Sequence, residues 1–183
     1  MLHLNFTPFP VIKTQRLILR KLTIKDAEEI MLLRSDEQVN KFLDRPKSVD
    51  VNDATKFIEK IESGISNNEW IYWAITFKDN DTLIGTICLW NISFDNSMAE
   101  IGYELLPTFQ GKGIMQEAIT KVTDYGFNKM KLKIITAFTH PGNYQSTNLL
   151  LKNNFLLDKN YEYVGREDGG ELLVYYLINT ADE

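Results

Sequence analysis

The stretch that decides the fold of this chain is Gln110-Gly111-Lys112-Gly113-Ile114-Met115. It follows residues 99–106 (AEIGYELL), an extended run that Pro107 ends, and it precedes a run with apolar residues near helical spacing. A strand, a short glycine turn and a helix in this order leave the first N–H groups of the helix without partners, and the helix dipole adds partial positive charge there. The stretch therefore predicts a site for a phosphate or pyrophosphate group.

The two glycines strengthen this interpretation, although the pattern differs from two better-known phosphate motifs. Gly111 and Gly113 lack Cβ atoms, so a ligand can approach the backbone closely, and Lys112 adds a positive charge. A Walker A loop needs a hydroxyl residue after its lysine, where this chain has Gly113. A Rossmann fingerprint needs a third glycine, where this chain has Gln116. On these residues alone, a tight turn before an ordinary helix remains an open alternative.

The composition narrows the class of protein. A chain of 183 residues with 44% hydrophobic and 25% charged residues suits one globular domain. A net charge of −5 without a basic block argues against nucleic-acid binding. Residues 1–12 lack a secretory signal and no segment approaches the ~20 apolar residues of a membrane span, so we expect a cytoplasmic protein without a membrane partner. Two His and one Cys make a metal site improbable, and we expect the single Cys88 to be buried.

Periodicity predicts a mixed α/β (α+β) domain covering residues 1–183, with its core at about 11–178. The predicted strands lie at about 11–21, 69–77, 82–91, 98–106, 133–139, 155–164 and 171–178. The predicted helices lie at about 24–34, 51–65, 111–128 and 144–153. We expect Thr23, with Asp26, to cap the first helix and Ser48 or Asp50 the second. A loop from Gly165 to Gly170 is expected between the last two strands.

The order β-α-α-β-β-β-α-β-α-β-β, with the glycine turn after the fourth strand, resembles the GNAT N-acetyltransferase superfamily. The acetyl-CoA motif of that family, Q/R-x-x-G-x-G/A, is matched at Gln110 and Gly113. Further blocks resemble the branch that acetylates the N-termini of ribosomal proteins. These blocks are residues 14–20, 99–103 and 117–118, and the N-x-x-S-x-x-x-L-x-K-x-G-F pattern at Asn143, Ser146, Leu150, Lys152 and Phe155. The resemblance implies a mixed, mostly antiparallel twisted sheet of about seven strands with about four helices.

Two residues depart from the family pattern. Met115 stands where the family has Gly or Ala, so its side chain must turn away from the cofactor while its backbone N–H still donates. Asn154 replaces the glycine before Phe155, at a position that would end a helix with positive φ. Asn is the next-best residue for that conformation. We therefore expect Met115 to affect cofactor geometry more than Asn154 affects the helix end.

The resemblance implies acetyl transfer from acetyl-CoA to a primary amine, without a metal. In the family the pantetheine arm lies like an extra strand where the fourth and fifth strands separate. The residues implied to hold coenzyme A are Leu105, Leu106, Gln110, Gly111, Lys112, Gly113, Ile114, Met115, Gln116, Asn143, Ser146 and Lys152. Two simpler interpretations stay open, Asn143 as a helix N-cap and Lys152 as a solvated charge at a helix end.

The same resemblance suggests a base and an oxyanion donor. Glu100 is the favoured general base, because it shares one face of a strand with Gly102, which leaves room for a substrate. An ordinary surface position on the strand is the alternative for Glu100. The backbone N–H of Leu105 or Leu106 is the candidate donor to the developing oxyanion.

The departing thiolate needs a proton or a hydrogen bond, and Ser146 matches the family at that position, with Tyr144 as runner-up. Both catalytic hydroxyl candidates lie in the predicted helix at 144–153. His140 is expected to be a loop residue. The residues expected to contact the amine substrate are Phe42, Asp44, Glu100 and Tyr103.

The sequence leaves the acceptor open. A carboxylate base suits a protein N-terminal amine, with a pKa near ~8, better than a lysine at ~10.4. The alternatives are a small-molecule amine such as a polyamine, an antibiotic or an amino-acid-like toxin, or a non-catalytic acyl-CoA-binding module of the same fold. We expect an amine substrate, among which a ribosomal or other protein N-terminus is favoured, and a monomer or a homodimer.

Overall fold

The computed structural model describes residues 2–159 and 172–180, and its centre is an eight-stranded sheet in the order β1-β2-β3-β4-β5-β6-β8-β7. The strands are Ile12–Lys13 (β1), Leu17–Lys21 (β2), Ile71–Phe77 (β3), Asn80–Ser93 (β4), Met98–Leu105 (β5), Ile134–Thr139 (β6), Leu156–Leu157 (β7) and Leu173–Ile178 (β8). The helices are Ala27–Ser35 (α1), Glu37–Asn40 (α2), Val51–Ser66 (α3), Ile114–Asn128 (α4) and Tyr144–Lys152 (α5). Neighbouring strands are antiparallel except β5 and β6, which run parallel.

Two adjacent residues of β3 show how the layers are arranged. Successive side chains of a strand point to opposite faces of the sheet. Tyr72 packs edge-on against Phe57 of α3, with ring centroids 5.7 Å apart. Trp73 packs in the same way against Tyr125 of α4, at 5.5 Å. The sheet therefore lies between α3 on one face and α4 on the other, and a buried core forms on both sides.

The structure confirms the mostly antiparallel mixed sheet, and its described residues form eight strands where about seven were predicted. The predicted strand at 11–21 is divided into β1 and β2, because the backbone turns at Thr14. The Leu17 N–H donates to the Thr14 hydroxyl at 2.8 Å, and the Thr14 N–H donates to the Leu17 carbonyl at 3.0 Å. This turn starts a hairpin, so the opening segment contributes two strands to the sheet.

Two predicted helix starts agree with the structure, and in each the capping side chain bonds to an N–H group three residues away. The Asp26 carboxylate accepts from the Thr23 N–H at 2.8 Å, and the Asp50 carboxylate accepts from the Asp53 N–H at 3.0 Å. Asp50 rather than Ser48 therefore caps α3. Between the first two predicted helices, residues 35–50 show no helical spacing in the sequence, yet they contain a further short helix, α2, which Asp36 caps through the Val39 N–H at 2.9 Å.

The end of the chain agrees in part with the prediction. Asn154 has a φ of 63°, so it takes the left-handed conformation expected where α5 ends. Cys88 is buried, as predicted. The strand predicted at 155–164 is observed as β7 within residues 155–159, whereas residues 160–164 and the predicted loop from Gly165 to Gly170 lie outside the described residues.

Candidate active site

A gap opens between the two parallel strands at the centre of the sheet. The β5–β6 ladder pairs Met98 with Ile134 and stops after the pairing of Glu100 with Thr136. β5 nevertheless continues beside β4 to Leu105, and β6 continues beside β8 to its last residue. The two strands therefore separate towards their C-terminal ends. We call the space between residues 101–105 and residues 137–139 the cleft.

One wall of the cleft offers backbone groups. The Leu106 N–H donates to the Ile84 carbonyl of β4 at 3.0 Å, so it is not available to a ligand. Because backbone groups alternate sides along a strand, the Leu105 N–H faces the cleft. The Leu105 carbonyl accepts from the Gln110 side-chain amide at 2.8 Å, which fixes the end of β5. Of the two predicted oxyanion donors, Leu105 is therefore the one that the hydrogen bonding leaves as a candidate.

The glycine turn lies next to this strand end. Gly111 and Gly113 have φ angles of 72° and 71°, a left-handed conformation that glycine adopts without strain. The first helical bond of α4 runs from the Glu117 N–H to the Gly113 carbonyl at 3.1 Å. The N–H groups of residues 114–116 therefore have no partner within the helix. The Met115 side chain is 6% exposed and packs in the core, so it turns away from this surface while its N–H stays with the others.

Glu100 lies at the inner end of the cleft, where the β5–β6 ladder stops. Burial raises the pKa of the Glu100 carboxyl to about 7, and a hydrogen bond from Asn91 acts in the opposite direction. A carboxyl with this pKa is partly ionised near neutral pH and can accept a proton from an amine. The geometry and the pKa together suit the role of general base.

The opposite wall of the cleft carries hydroxyl groups. The Asn143 side chain accepts from the Ser146 N–H at 3.1 Å and thereby caps α5, as its simpler interpretation predicts. The Ser146 hydroxyl lies 2.8 Å from the hydroxyl of Tyr103 on β5. Tyr144, the predicted runner-up, is 73% exposed and has no recorded contact with Tyr103 or Ser146. The structure thus brings Tyr103, Asn143 and Ser146 together and leaves Tyr144 at the surface.

Two buried hydroxyls near this wall lack partners. Within the described residues, the side-chain polar atoms that are buried without a hydrogen bond are Thr139 Oγ1 and Thr147 Oγ1. Thr139 ends β6 and Thr147 belongs to α5, the two elements on this side of the cleft. Buried hydroxyls without partners lower the stability of a protein. Sequence reasoning missed both residues, because only their three-dimensional surroundings distinguish them from other threonines.

A segment formed by residues 41–49 crosses the open end of the cleft. Arg45 makes a bidentate ion pair with Glu104 of β5, with Nη1 donating to Oε1 at 2.8 Å. Phe42 stacks on His140, which follows β6, with ring centroids 5.2 Å apart. The segment therefore contacts both sides of the cleft. A contact between Phe42 and the substrate stays a prediction. Asp44, a predicted substrate contact, is exposed, and its carboxylate has no hydrogen bond or ion pair within the described residues. Sequence reasoning did not identify Arg45 as a residue of the site.

The two predicted cationic ligands lie at the rim. The Lys112 amine donates to the Thr108 carbonyl at 2.8 Å, so its side chain folds over the turn before the glycines. Lys152 is exposed at the end of α5, and no contact with residues 110–116 is recorded for it. Sequence reasoning missed the role of Arg16, whose Nη1 donates to the Lys112 carbonyl at 3.0 Å. Arg16 therefore brings a further cation to the glycine turn.

The described residues fit an extended ligand with an anionic end. Free helix N–H groups and a glycine turn suit a pyrophosphate, while the cleft offers the Leu105 N–H to an arm with amide groups. Coenzyme A has this chemistry. Within residues 2–159 and 172–180, no group of three His, Cys, Asp or Glu side chains is placed to hold a metal ion. No helix in those ranges has the length and apolar character needed to cross a bilayer.

Comparison with known proteins agrees with this fit. Residues 16–156 match the acetyltransferase (GNAT) domain family. The uncharacterised N-acetyltransferase YoaA of Bacillus subtilis (strain 168) is 35% identical over 147 residues, which cover 80% of this chain and 83% of that protein. The structure of the microcin C7 self-immunity acetyltransferase MccE with acetyl-CoA and AMP is 25% identical, with a TM-score of 0.78 and coverage of 90% and 93% of the two chains.

A second solved structure extends the similarity of fold. A Vibrio cholerae protein for which ribosomal-protein-serine acetyltransferase activity is proposed has a TM-score of 0.81 at 24% identity. The alignment covers 94% of this chain and 99% of that one. The family match covers well over half of the chain, and the similarity to YoaA extends over most of both proteins. The chain therefore belongs to the GNAT acetyltransferase family and is an N-acetyltransferase that takes its acetyl group from acetyl-CoA.

Proposed function

We propose that this enzyme acetylates the α-amino group of a protein N-terminus. The observation that carries the proposal is the Glu100 carboxyl, with a pKa of about 7, at the inner end of the cleft. An α-amine has a pKa of about 8, so its proton can pass to this carboxyl at little cost. Passing a proton from a lysine amine, with a pKa of about 10.4, to a carboxyl that titrates near 7 would cost about 4–5 kcal/mol.

The charges on the Glu100 face of the sheet support the same acceptor over a polyamine. Glu104 lies on this face of β5, but Arg45 neutralises it through two hydrogen bonds. Arg34 adds a second guanidinium, which lies 4.0 Å above the Phe57 ring. Among the described residues, Glu100 is therefore the unpaired carboxyl on this face, which suits a substrate with one amine. A substrate with several positive charges would also meet the Arg34 guanidinium, and like charges in a partly buried site repel each other.

In the proposed reaction each residue has one task. The N–H groups of residues 114–116 bind the pyrophosphate, and the Leu105 N–H donates to the carbonyl oxygen as negative charge develops on it. Glu100 takes a proton from the amine, directly or through water. Ser146 donates a hydrogen bond to the sulfur that leaves. The bound acetyl-CoA supplies the activated acetyl group, and no metal has a role in this scheme.

An acceptor screen tests the proposal. We would compare kcat/KM for short peptides with free N-termini, the same peptides with a blocked N-terminus and one internal lysine, and spermidine. The expected result is a preference for free N-termini of at least tenfold, lost about a hundredfold in Glu100→Gln. A control variant, Glu59→Gln, changes an exposed carboxyl of α3 and should leave the rate unchanged. Faster turnover of spermidine or of the internal lysine would contradict the proposal.

A small amine that carries an anionic group is the second candidate. Within the described residues, the Arg34 guanidinium has no hydrogen bond, although the residue is half-buried, and burial lowers its pKa. A phosphate or carboxylate on the acceptor would pair with it. The MccE neighbour was solved with AMP as well as acetyl-CoA. Adding an aminoacyl phosphate analogue to the screen distinguishes this acceptor from a protein N-terminus. Arg34→Met would lower the turnover of that analogue and leave the turnover of a neutral peptide unchanged.

A further inference from the structure

The Tyr103–Ser146 contact connects the two sides of the cleft. Tyr103 belongs to β5 beyond the last paired residue of the β5–β6 ladder, whereas Ser146 belongs to α5, which follows β6. Their hydroxyl oxygens are 2.8 Å apart and form a hydrogen bond. Within the described residues, neither oxygen has a second hydrogen bond. The contact therefore spans the cleft. We expect the reacting end of coenzyme A in this space, because the pantetheine arm lies between these strands in the family fold and the Leu105 N–H faces the cleft.

The surroundings decide which hydroxyl donates. A phenol is the more acidic of the two groups, so it is the better hydrogen-bond donor. Burial raises the pKa of Tyr103 to about 12, which keeps its proton in place at neutral pH. The Ser146 backbone is held by Asn143, whose side chain accepts from the Ser146 N–H at 3.1 Å. With the Tyr103 proton directed at Ser146 Oγ, the serine hydrogen is free to point at another acceptor.

We propose that Tyr103 is a positioning residue that orients the Ser146 hydroxyl hydrogen towards the sulfur of coenzyme A. The inference rests on the proposed function only in placing that sulfur in the cleft. During transfer the amine nitrogen forms a bond to the acetyl carbon, and the C–S bond breaks with its electron pair on sulfur. Ser146 donates a hydrogen bond to that sulfur. Glu100 accepts the first proton of the ammonium group, and the second proton that the nitrogen loses as the amide forms passes through solvent to the sulfur and completes the thiol. Tyr103 stays protonated throughout.

The first test measures the bound product rather than the rate. The thiolate of coenzyme A absorbs in the ultraviolet, so a pH titration of the complex gives the pKa of the bound thiol. A hydrogen bond that favours the thiolate lowers this pKa below that of free coenzyme A. We expect the bound thiol to have a lowered pKa in the wild type. In both Tyr103→Phe and Ser146→Ala this pKa should rise by about one unit, towards the value of free coenzyme A.

The second test uses the rate and a double-mutant cycle. Tyr103→Phe should lower kcat about tenfold with an unchanged KM for acetyl-CoA, because one neutral hydrogen bond is lost from the transition state. The double variant with Ser146→Ala should be no slower than Ser146→Ala alone, since Tyr103 acts through the serine. Ser146→Thr keeps a hydroxyl and should restore most of the activity. Tyr125→Phe, which removes the hydroxyl of another half-buried tyrosine, is the matched control.

Each outcome decides the matter. A thiol pKa and a kcat that Tyr103→Phe leaves at wild-type values would overturn the inference while the acetyltransferase reaction stands. Losses that multiply in the double variant would also overturn it, because Tyr103 would then act independently of Ser146. If the wild type turned over but preferred an acceptor other than an N-terminus, only the proposed acceptor would fail. If Tyr103→Phe were unstable, a fluorotyrosine at position 103 would take its place. It keeps the shape and the hydroxyl and makes the phenol a stronger donor, so the thiol pKa should fall further; an unmoved thiol pKa would overturn the inference.

Discussion

Arg16 and Glu117 join the first hairpin to the first turn of α4. The Arg16 Nε lies 2.6 Å from Glu117 Oε2, and the Arg16 backbone N–H donates to Oε1 at 2.8 Å. The Thr14 hydroxyl also donates to this carboxylate. Since Arg16 in addition reaches the Lys112 carbonyl, one carboxylate and one guanidinium fix the glycine turn against the sheet.

Replacing Glu117 with Gln should therefore loosen the glycine turn. We expect a loss of about 1–2 kcal/mol in the free energy of unfolding, because a charge-assisted hydrogen bond becomes a neutral one, and a several-fold weaker affinity for acetyl-CoA. Denaturant unfolding and calorimetric titration measure the two effects. Arg16→Met should resemble Glu117→Gln, and the double variant should lose less than the sum. Additive losses would mean that the two side chains do not act as a pair.

The backbone conformation of the turn can be tested separately. Gly113→Ala should cost about 1–2 kcal/mol of stability, because an L-residue at a φ of 71° is strained. A Cβ at Gly113 would meet only Arg16 Nη2, at an ordinary 3.6 Å, and at Gly111 nothing within 4 Å. Similar losses for Gly111→Ala and Gly113→Ala would thus identify backbone strain as the cause, whereas a loss at Gly113 alone would point to a steric clash. Thermal denaturation provides the measurement.

Local signals explain what the sequence predicted. The caps at Asp26 and Asp50 act on N–H groups within three residues, and Asn154 takes the left-handed conformation because its own side chain tolerates it. The glycine turn is likewise a property of consecutive residues. Such features follow from residue type and spacing, so the main helices, the central strands and the glycine turn could be placed before the structure.

The contacts that complete the site join distant segments. Arg45 and Glu104 are 59 residues apart, and Arg16 and Glu117 are 101 apart. Neither pair has a spacing that a sequence pattern could detect. The choice between Leu105 and Leu106 depends on which side of β5 pairs with β4, and that is a property of the assembled sheet. Tyr144 was considered for its residue type, whereas its exposure depends on how α5 is turned towards β6.

The buried Thr139 hydroxyl gives a prediction about stability. Thr139→Val keeps the shape of the side chain and removes an oxygen that has no partner, so the protein should gain up to about 1 kcal/mol in the free energy of unfolding. Thr76→Val is the matched control: it removes a buried hydroxyl that donates to the Ile18 carbonyl at 3.3 Å, and it should not gain stability. Denaturant unfolding of both variants makes the comparison. A gain in both variants, or a loss in Thr139→Val, would contradict this.

Glu100 should make the stability of the protein depend on pH in an unusual direction for a carboxylic acid. Burial raises its pKa from 4.5 to about 7 in the folded state, so between these values the folded protein binds the proton more tightly than the unfolded chain does. The stability linked to this proton is complete below about pH 4.5 and is lost as the pH rises through about 7. Paired carboxylates, which have depressed pKa values, behave in the opposite way.

Glu100→Gln removes this titration, and the comparison with wild type isolates it because all other groups are shared. We expect the stability difference in favour of Gln to grow from about pH 4.5 and to level off above about pH 7, by up to about 3 kcal/mol in denaturant unfolding. Asn91→Gly suits the φ of 49° at that position and removes the hydrogen bond that lowers the pKa of Glu100. In that variant the plateau should move to higher pH. Parallel stability curves for wild type and Glu100→Gln would mean that the carboxyl titrates as it does in water, and a plateau unmoved by Asn91→Gly would exclude Asn91 as the partner that holds it ionised.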